Sequence, residues 1–188
     1  MDRQPSDDVL MGRIATGDAP AFRLLLDRHL AAVTAFCYRQ LGDRSEAEDA
    51  AQDTFLKVWQ AAAGWKPEAK PTTWIYRIAV NQCIDRHRKR RPQADLDAAA
   101  DVASAEPNPE QAAARADLDR KVRTAMEALP ERQRLALVLC HYQGLSQAEA
   151  AEVLGTGVGA VESLLGRARR ELKKLLAADI AQMKEKVA

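Results

Sequence analysis

The sequence is poor in cysteine: Cys37, Cys83 and Cys140 are all it has, isolated and odd in number. Without a CxxC pair, a disulfide framework and a structural zinc site are both excluded, and a reducing compartment is expected. Aromatic residues are only 5% of the chain, while alanine and leucine abound, a balance that favours helices over sheets. No apolar run approaches the roughly 20 residues of a membrane span, so no membrane insertion is expected. The opening "MDRQPSDDVL" is acidic and polar, unlike a secretory signal. These absences predict a soluble cytoplasmic protein.

An excess of charge is also missing, with a formal net of +1, but the charges are segregated along the chain. Residues 77–91 hold Arg77, Arg86, Arg88, Lys89, Arg90 and Arg91 against Asp85. Residues 167–174 hold Arg167, Arg169, Arg170, Lys173 and Lys174 against Glu171. Between these basic poles, residues 93–119 carry Asp95, Asp97, Asp101, Glu106, Glu110, Asp117 and Asp119 against Arg115. If the acidic stretch folds onto a basic pole, the free chain is expected to bind DNA poorly.

Helix punctuation is plain. Ser6 is placed to cap a short helix ending near Gly17. Asp18, with Pro20 in the first turn, opens a long one whose apolar set is Phe22, Leu25, Leu26, Leu30, Val33, Phe36 and Cys37, and Gly42 ends it. Ser45 and Glu48 form a capping-box pattern for a third helix that stops before Gly64. Thr72 or Thr73 is expected to cap a fourth, running to about Arg91. "QADLDAAADVASAEPNPE" has no apolar period and reads as a linker. Helical patterning resumes at Pro109 and runs to Ala128; Pro130 starts another helix, which Gly144 breaks. With no repeat and no strand pattern, the expected fold is all-α, in two helical domains joined by a flexible acidic linker.

The C-terminal unit has the pattern of a helix-turn-helix. Ser146 and Glu149 box the start of a short helix, "GTG" turns the chain, and "VGAVESLLGRARRELKKLL" follows as the longer helix that would enter the major groove. At 100° per residue, Val161, Leu165, Ala168 and Leu172 line one face, with Leu164 at its edge, a core position. Gly159, Ser163, Gly166 and Arg170 lie opposite, flanked by Glu162 and Arg167. Small side chains at the front let a helix approach base edges, arginines behind grip phosphates, and Glu162 suits a cytosine amino group. The competing reading is an ordinary solvated helix face.

In the N-terminal unit, "TTWIYRIAVNQCIDRHRKRR" places Tyr76, Ala79, Val80, Cys83, Ile84 and His87 on one face. Trp74, Arg77, Ile78, Asn81, Asp85 and Arg88 stand on the other. Trp, Asn and Arg on one stripe, with Trp65, Lys66 and Lys70 in the preceding loop, suit stacking and phosphate contact with unpaired bases. Trp65 and Trp74 equally suit the edges of a core. The helix before it carries Glu48, Gln52, Phe55 and Trp59 in one stripe, a protein-docking pattern unless Phe55 and Trp59 face inward. Cys83, His87 and Cys140 read as packing residues, and no His, Cys or acid set has metal-ligand spacing.

The blocks "AEDAAQDTFLKVW", "TTWIYRIAVNQCIDRHRKRR" and "LPERQRLALVLCHYQGLSQAEAAEVLGTGVGAVESLLGRARREL" resemble, in order and spacing, a bacterial sigma factor of the extracytoplasmic-function type. That resemblance covers nearly the whole chain. It implies a sigma-2-like domain over 1–92, an acidic linker over 93–110 and a sigma-4-like domain over 111–188. It implies docking on the β′ clamp of RNA polymerase core through Asp49, Gln52, Asp53, Phe55 and Trp59, with the β flap as a further contact. It implies reading and melting of the −10 element by Trp65, Lys66, Lys70, Trp74, Arg77, Asn81, Arg86 and Arg88. The −35 element would be read by Gly159, Glu162, Ser163, Gly166, Arg167, Arg169 and Arg170. An anti-sigma partner is implied, and the linker would thread into the polymerase cleft.

The chain departs from the pattern at Glu162, Leu164 and Gly166, where the family commonly has basic or larger residues. The departures imply an altered −35 preference or a role in anti-sigma binding. On this reading the chain uses no cofactor and catalyses nothing. Three other functions compete with it. A stand-alone helix-turn-helix regulator would leave the Trp/Asn/Arg face without a purpose, a metal-dependent hydrolase lacks convergent ligands, and a pure protein-binding adaptor would direct no transcription.

Overall fold

The computed structural model describes residues 5–90 and 109–177, the side chains of 90 and of 109–116 excepted. The elements are α1 (Asp7–Ile14), α2 (Ala19–Leu41), α3 (Arg44–Ala61), α4 (Pro71–Arg90), α5 (Pro109–Glu127), α6 (Glu131–Leu137), α7 (Gln147–Leu154) and α8 (Val158–Leu175). A 3-10 turn at Ala62–Gly64 follows α3, and a π-helical turn at Val138–Tyr142 extends α6. No strand occurs among the described residues. The linker expected at 93–110 lies outside them, except that Pro109 and Glu110 already belong to α5.

Local chemistry sets most of these boundaries. Ser6 Oγ accepts from the Val9 amide, and Asp18 accepts from the Ala21 amide at 2.9 Å. Gly42, at φ +73°, ends α2 in the left-handed region open to glycine. That turn leaves Asp43 extended, and its carboxylate accepts from the Glu46 amide at 2.8 Å. Asp43 therefore caps α3 in place of the expected Ser45, and Glu48 pairs with Arg44 at 2.9 Å. α4 likewise starts earlier than expected: Pro71, preset for a first helical turn, opens it, and Thr72 and Thr73 lie inside.

α1–α4 pack around Leu10, Met11, Leu25, Val33, Phe36, Val58, Ile75, Val80 and the buried thiols Cys37 and Cys83. Phe36 meets Tyr76 edge to face at 5.4 Å between centroids, adding geometric preference to area burial. Leu30, expected on the apolar face of α2, is 38% exposed. Asp7 ties α1 to α2: Arg28 donates to it at 2.7 Å and His29 Nε2 lies 2.6 Å away. Burial pushes the Asp7 carboxyl up, but these two partners outweigh it and hold the group below its ordinary value.

α5–α8 pack around Met126, Leu129, Leu135, Val138, Leu139, Val153, Val161, Leu165 and Ala168. The buried apolar side chains of both halves form one continuous cluster. α4 lies along α7, and α2 touches α5 and the π-helical turn. The two units are thus in direct contact.

Candidate nucleic-acid interface

The C-terminal helix-turn-helix is built from α7, a tight turn and α8. Ser146 accepts from the Glu149 amide while Glu149 Oε2 accepts from the Ser146 amide at 2.8 Å, closing the capping box. Gly155, at φ +58°, ends α7, and extended Gly157 leads into α8. Val161, Leu165 and Ala168 are buried, and Leu164 packs against the same core. Gly159, Glu162, Ser163, Arg167, Arg169 and Arg170 are exposed, and Gly166 is half-buried. A cleft of about 430 Å³ runs between α8 and the α5–α6 turn, lined by Gln133, Arg167, Arg170 and Lys174. Arg169 donates to His141 Nε2 at 3.1 Å, so one of these arginines is steadied from the π-helical turn.

On α4, Arg77, Asn81, Arg88 and Lys89 are exposed, with Trp74 and Ile78 half-buried beside them. Arg88 also reaches Asp85 at 3.1 Å. In the loop before α4, Lys66 is exposed, while Trp65 packs its ring on the core and its indole N–H has no partner. Two residues expected on this surface are tied elsewhere. Arg86 donates to Asp53 on α3 at 2.8 Å, and Lys70 donates to Glu149 on α7 at 2.7 Å. Lys70's hydrogen bond, with help from Ser146, depresses the Glu149 carboxyl to about 2.

On α3, Asp49 and Gln52 are exposed and Asp53 half-buried. Phe55, expected on the docking stripe, is only 2% exposed, and half-buried Trp59 sits edge-on to Phe22 at 5.1 Å. The large apolar side chain facing out is Leu56, 54% exposed, between Gln52 and Gln60 at helical spacing. The reason is phase: Phe55 shares a stripe with buried Ala51 and Val58, so it turns inward.

Sequence reasoning missed the polar contacts between the units. Arg134, 6% exposed, donates to Gln40 Oε1 at 3.3 Å and to the Glu127 carbonyl at 3.1 Å, and its Nη2 lies 3.1 Å from His87 Nε2. Tyr76 donates to Gln143 at 2.6 Å, and Arg39 stacks over Tyr142 at 4.4 Å. Burial pushes the Tyr76 hydroxyl up to about 12, keeping it a donor. Cys37 and burial together push the Cys83 thiol well up, which suits a packed rather than a reactive sulfur. Among the described residues, no His, Cys, Asp and Glu group could hold a metal ion, and no helix is long and apolar enough to cross a membrane.

The fold thus defines a two-unit helical protein with a basic, tryptophan-flanked helix in the N-terminal unit and a helix-turn-helix in the C-terminal unit. Comparison with known proteins agrees. Residues 25–93 match the family description Sigma-70 region 2, and residues 119–172 match Sigma-70, region 4. The chain is 38% identical over 190 residues to the RNA polymerase sigma factor CnrH of Cupriavidus metallidurans, covering 95% of this chain and 98% of that one. It is 34% identical over 176 residues to the ECF RNA polymerase sigma factor SigW of Bacillus subtilis, covering 87% and 93%. The solved structure of CnrH with the cytosolic domain of CnrY superposes at a TM-score of 0.71, with 34% identity over 92% of this chain and 98% of that one. The sigma factor RpoE with the anti-sigma factor NepR, from Bartonella quintana, gives 0.70 and 25% identity over 84% and 98%. The chain belongs to the extracytoplasmic-function group of the sigma-70 family of RNA polymerase sigma factors.

Proposed function

We propose that this sigma factor acts in the cytoplasm as a non-enzymatic initiation factor that gives core polymerase two-element promoter specificity. Arg77, Asn81 and Arg88, with Trp74 and Lys66, contact the melted −10 strand. The exposed face of α8 reads the −35 duplex through Gly159, Glu162, Ser163 and Gly166, and Arg167, Arg169 and Arg170 hold phosphates. Asp49, Gln52 and Leu56 form the centre of the surface that docks on the polymerase clamp. The observation that carries this reading is one chain with Arg77, Asn81 and Arg88 exposed beside half-buried Trp74 on α4, and with Gly159, Glu162, Ser163, Arg167, Arg169 and Arg170 exposed on α8. The similar sigma factor RpoE, co-crystallised with the anti-sigma factor NepR, supports control by such a protein.

Run-off transcription with purified core polymerase on fragmented genomic DNA tests it. Discrete new transcripts that share two upstream elements are expected. Trp74→Ala should lower initiation about tenfold, in line with the loss of one base-stacking contact, while leaving duplex binding intact. Tight duplex binding by the chain alone, with no transcript from core, would make it a stand-alone regulator instead.

Phosphate and base contacts on α8 separate in their salt dependence. Arg167→Ala is expected to weaken duplex binding evenly across sequences and to reduce the slope of log affinity against log salt by about 1. Fluorescence anisotropy over a salt series reads this directly. A slope unchanged within error would remove Arg167 from the phosphate set.

A further inference from the structure

Of the exposed arginines of α8, Arg167, Arg169 and Arg170, only Arg169 has a side-chain partner among the described residues. Its Nη2 lies 3.1 Å from His141 Nε2. Both side chains are exposed, so core packing does not force the contact. It comes from the π-helical turn, where the Gln143 amide donates to the Val138 carbonyl, five residues back, at 3.1 Å. The extra residue turns neighbouring side chains by roughly 100° relative to a continued α-helix. His141 is thereby aimed at α8. Burial pushes the Cys140 thiol up and the charge of Arg169 draws it partly back, so the guanidinium lies close over this turn.

The chemistry of this partner differs from that of the chain's other cation holders. An arginine N–H donates only to a ring nitrogen with a lone pair, so the contact requires Nε2 bare and the proton on Nδ1. The imidazole in the contact is therefore neutral and leaves the charge of Arg169 intact. Carboxylates do the opposite elsewhere: Asp53 on Arg86 and Glu149 on Lys70 each cancel the charge they hold. One N–H goes to His141, and the other donors of the guanidinium remain for phosphate oxygens. An unrestrained arginine gives up much rotamer freedom when it grips a phosphate; one already held gives up less.

We propose that His141 is a positioning residue for the −35 contact: from the π-helical turn it holds Arg169 ready for a DNA phosphate without neutralising it. The inference rests on the assignment of Arg169 to the phosphate set above and deepens it. His141 adds no phosphate neutralisation of its own. Its whole effect on affinity passes through Arg169, and that gives it a signature distinct from a direct contact.

A double-mutant cycle on holoenzyme, reconstituted from the full chain and core polymerase, reads that signature. The probe is a fluorescent promoter duplex identified by the run-off transcription described above, and anisotropy is followed over a salt series. Arg169→Ala should weaken binding and reduce the slope of log affinity against log salt by about 1. His141→Ala should weaken binding about threefold, the scale of one modest hydrogen bond. Its salt slope should stay at the parent value, because the arginine still reaches the phosphate. In the Arg169→Ala background the same change at 141 should do nothing further. His141→Gln, which offers an amide oxygen close to the place of Nε2, should bind like the parent. His141→Phe keeps a ring without an acceptor and should match alanine.

Parent affinity in both His141→Ala and His141→Phe would overturn the inference. So would a threefold loss that persists when Arg169 is already alanine, since His141 would then be a DNA contact in its own right. A loss in His141→Gln as large as in alanine would sink it too, because the acceptor would not be what matters. Two other results strike the underlying reading first. If no promoter is found, or if Arg169→Ala keeps the parent affinity and slope, the phosphate assignment fails and the inference falls with it. The single Arg169 variant therefore separates failure of the reading from failure of the positioning role.

Discussion

Replacing Arg134 with alanine is expected to lower the free energy of unfolding by about 3 kcal/mol, the scale of stripping a buried charged donor from its acceptors. The guanidinium is 6% exposed, and burial pulls it below its ordinary pKa without neutralising it. Truncation strands the Glu127 carbonyl and the Gln40 oxygen in a site where the Gln40 amide nitrogen already lacks a partner. Urea denaturation should show this as a lower midpoint at unchanged slope. Arg134→Met fills the same volume without donors and should lose less, because an apolar group adds no unsatisfied donor or charge of its own. An alanine variant with the parent midpoint would show that the bonds of Arg134 contribute nothing net, and the tie between the units would then rest on apolar packing.

Elements governed by near neighbours could be read from the sequence. Asp18 with Pro20, Gly42, Ser146 with Glu149 and Gly155 each act within one turn, and each does in the structure what its residue type predicts. The buried stripe of α8 followed from a 3.6-residue period over a long, strongly amphipathic helix. The α3 start was misplaced because two caps competed. The left-handed turn at Gly42 makes Asp43 extended, and the first residue with capping geometry takes the helix, leaving Ser45 in the first turn.

The contacts between units had no local signal. Arg134 and Gln40 are 94 residues apart, and neither breaks the pattern of its own helix. Cationic residues were also ambiguous for a physical reason: a side chain's charge does not say whether it is already neutralised. Arg77 and Arg86 look alike in sequence. In the fold Arg77 is exposed, whereas Arg86 is folded onto Asp53. The π-helical turn was invisible as well, since one extra residue per turn changes no composition and only re-aims His141 and Tyr142.

The α3 surface gives the sharpest separation of core from interface. Leu56→Asp is expected to reduce affinity for core polymerase by about 100-fold, as for a charge placed at the apolar centre of a docking patch. Its effect on stability should stay within about 0.5 kcal/mol, because Leu56 is already in water. Phe55→Ala, one residue away, should do the reverse. It empties a buried site and should lose about 3–5 kcal/mol of stability, with core affinity per folded molecule preserved. Equilibrium binding of labelled chain to core enzyme, paired with thermal denaturation, measures both. If Phe55→Ala instead weakened core binding at full stability, α3 would have to rotate by about 100° on docking, bringing the Phe55 ring to the clamp and turning Leu56 away. If Leu56→Asp bound normally, the docking surface would lie on another helix, because no other large apolar side chain on α3 is more than half exposed.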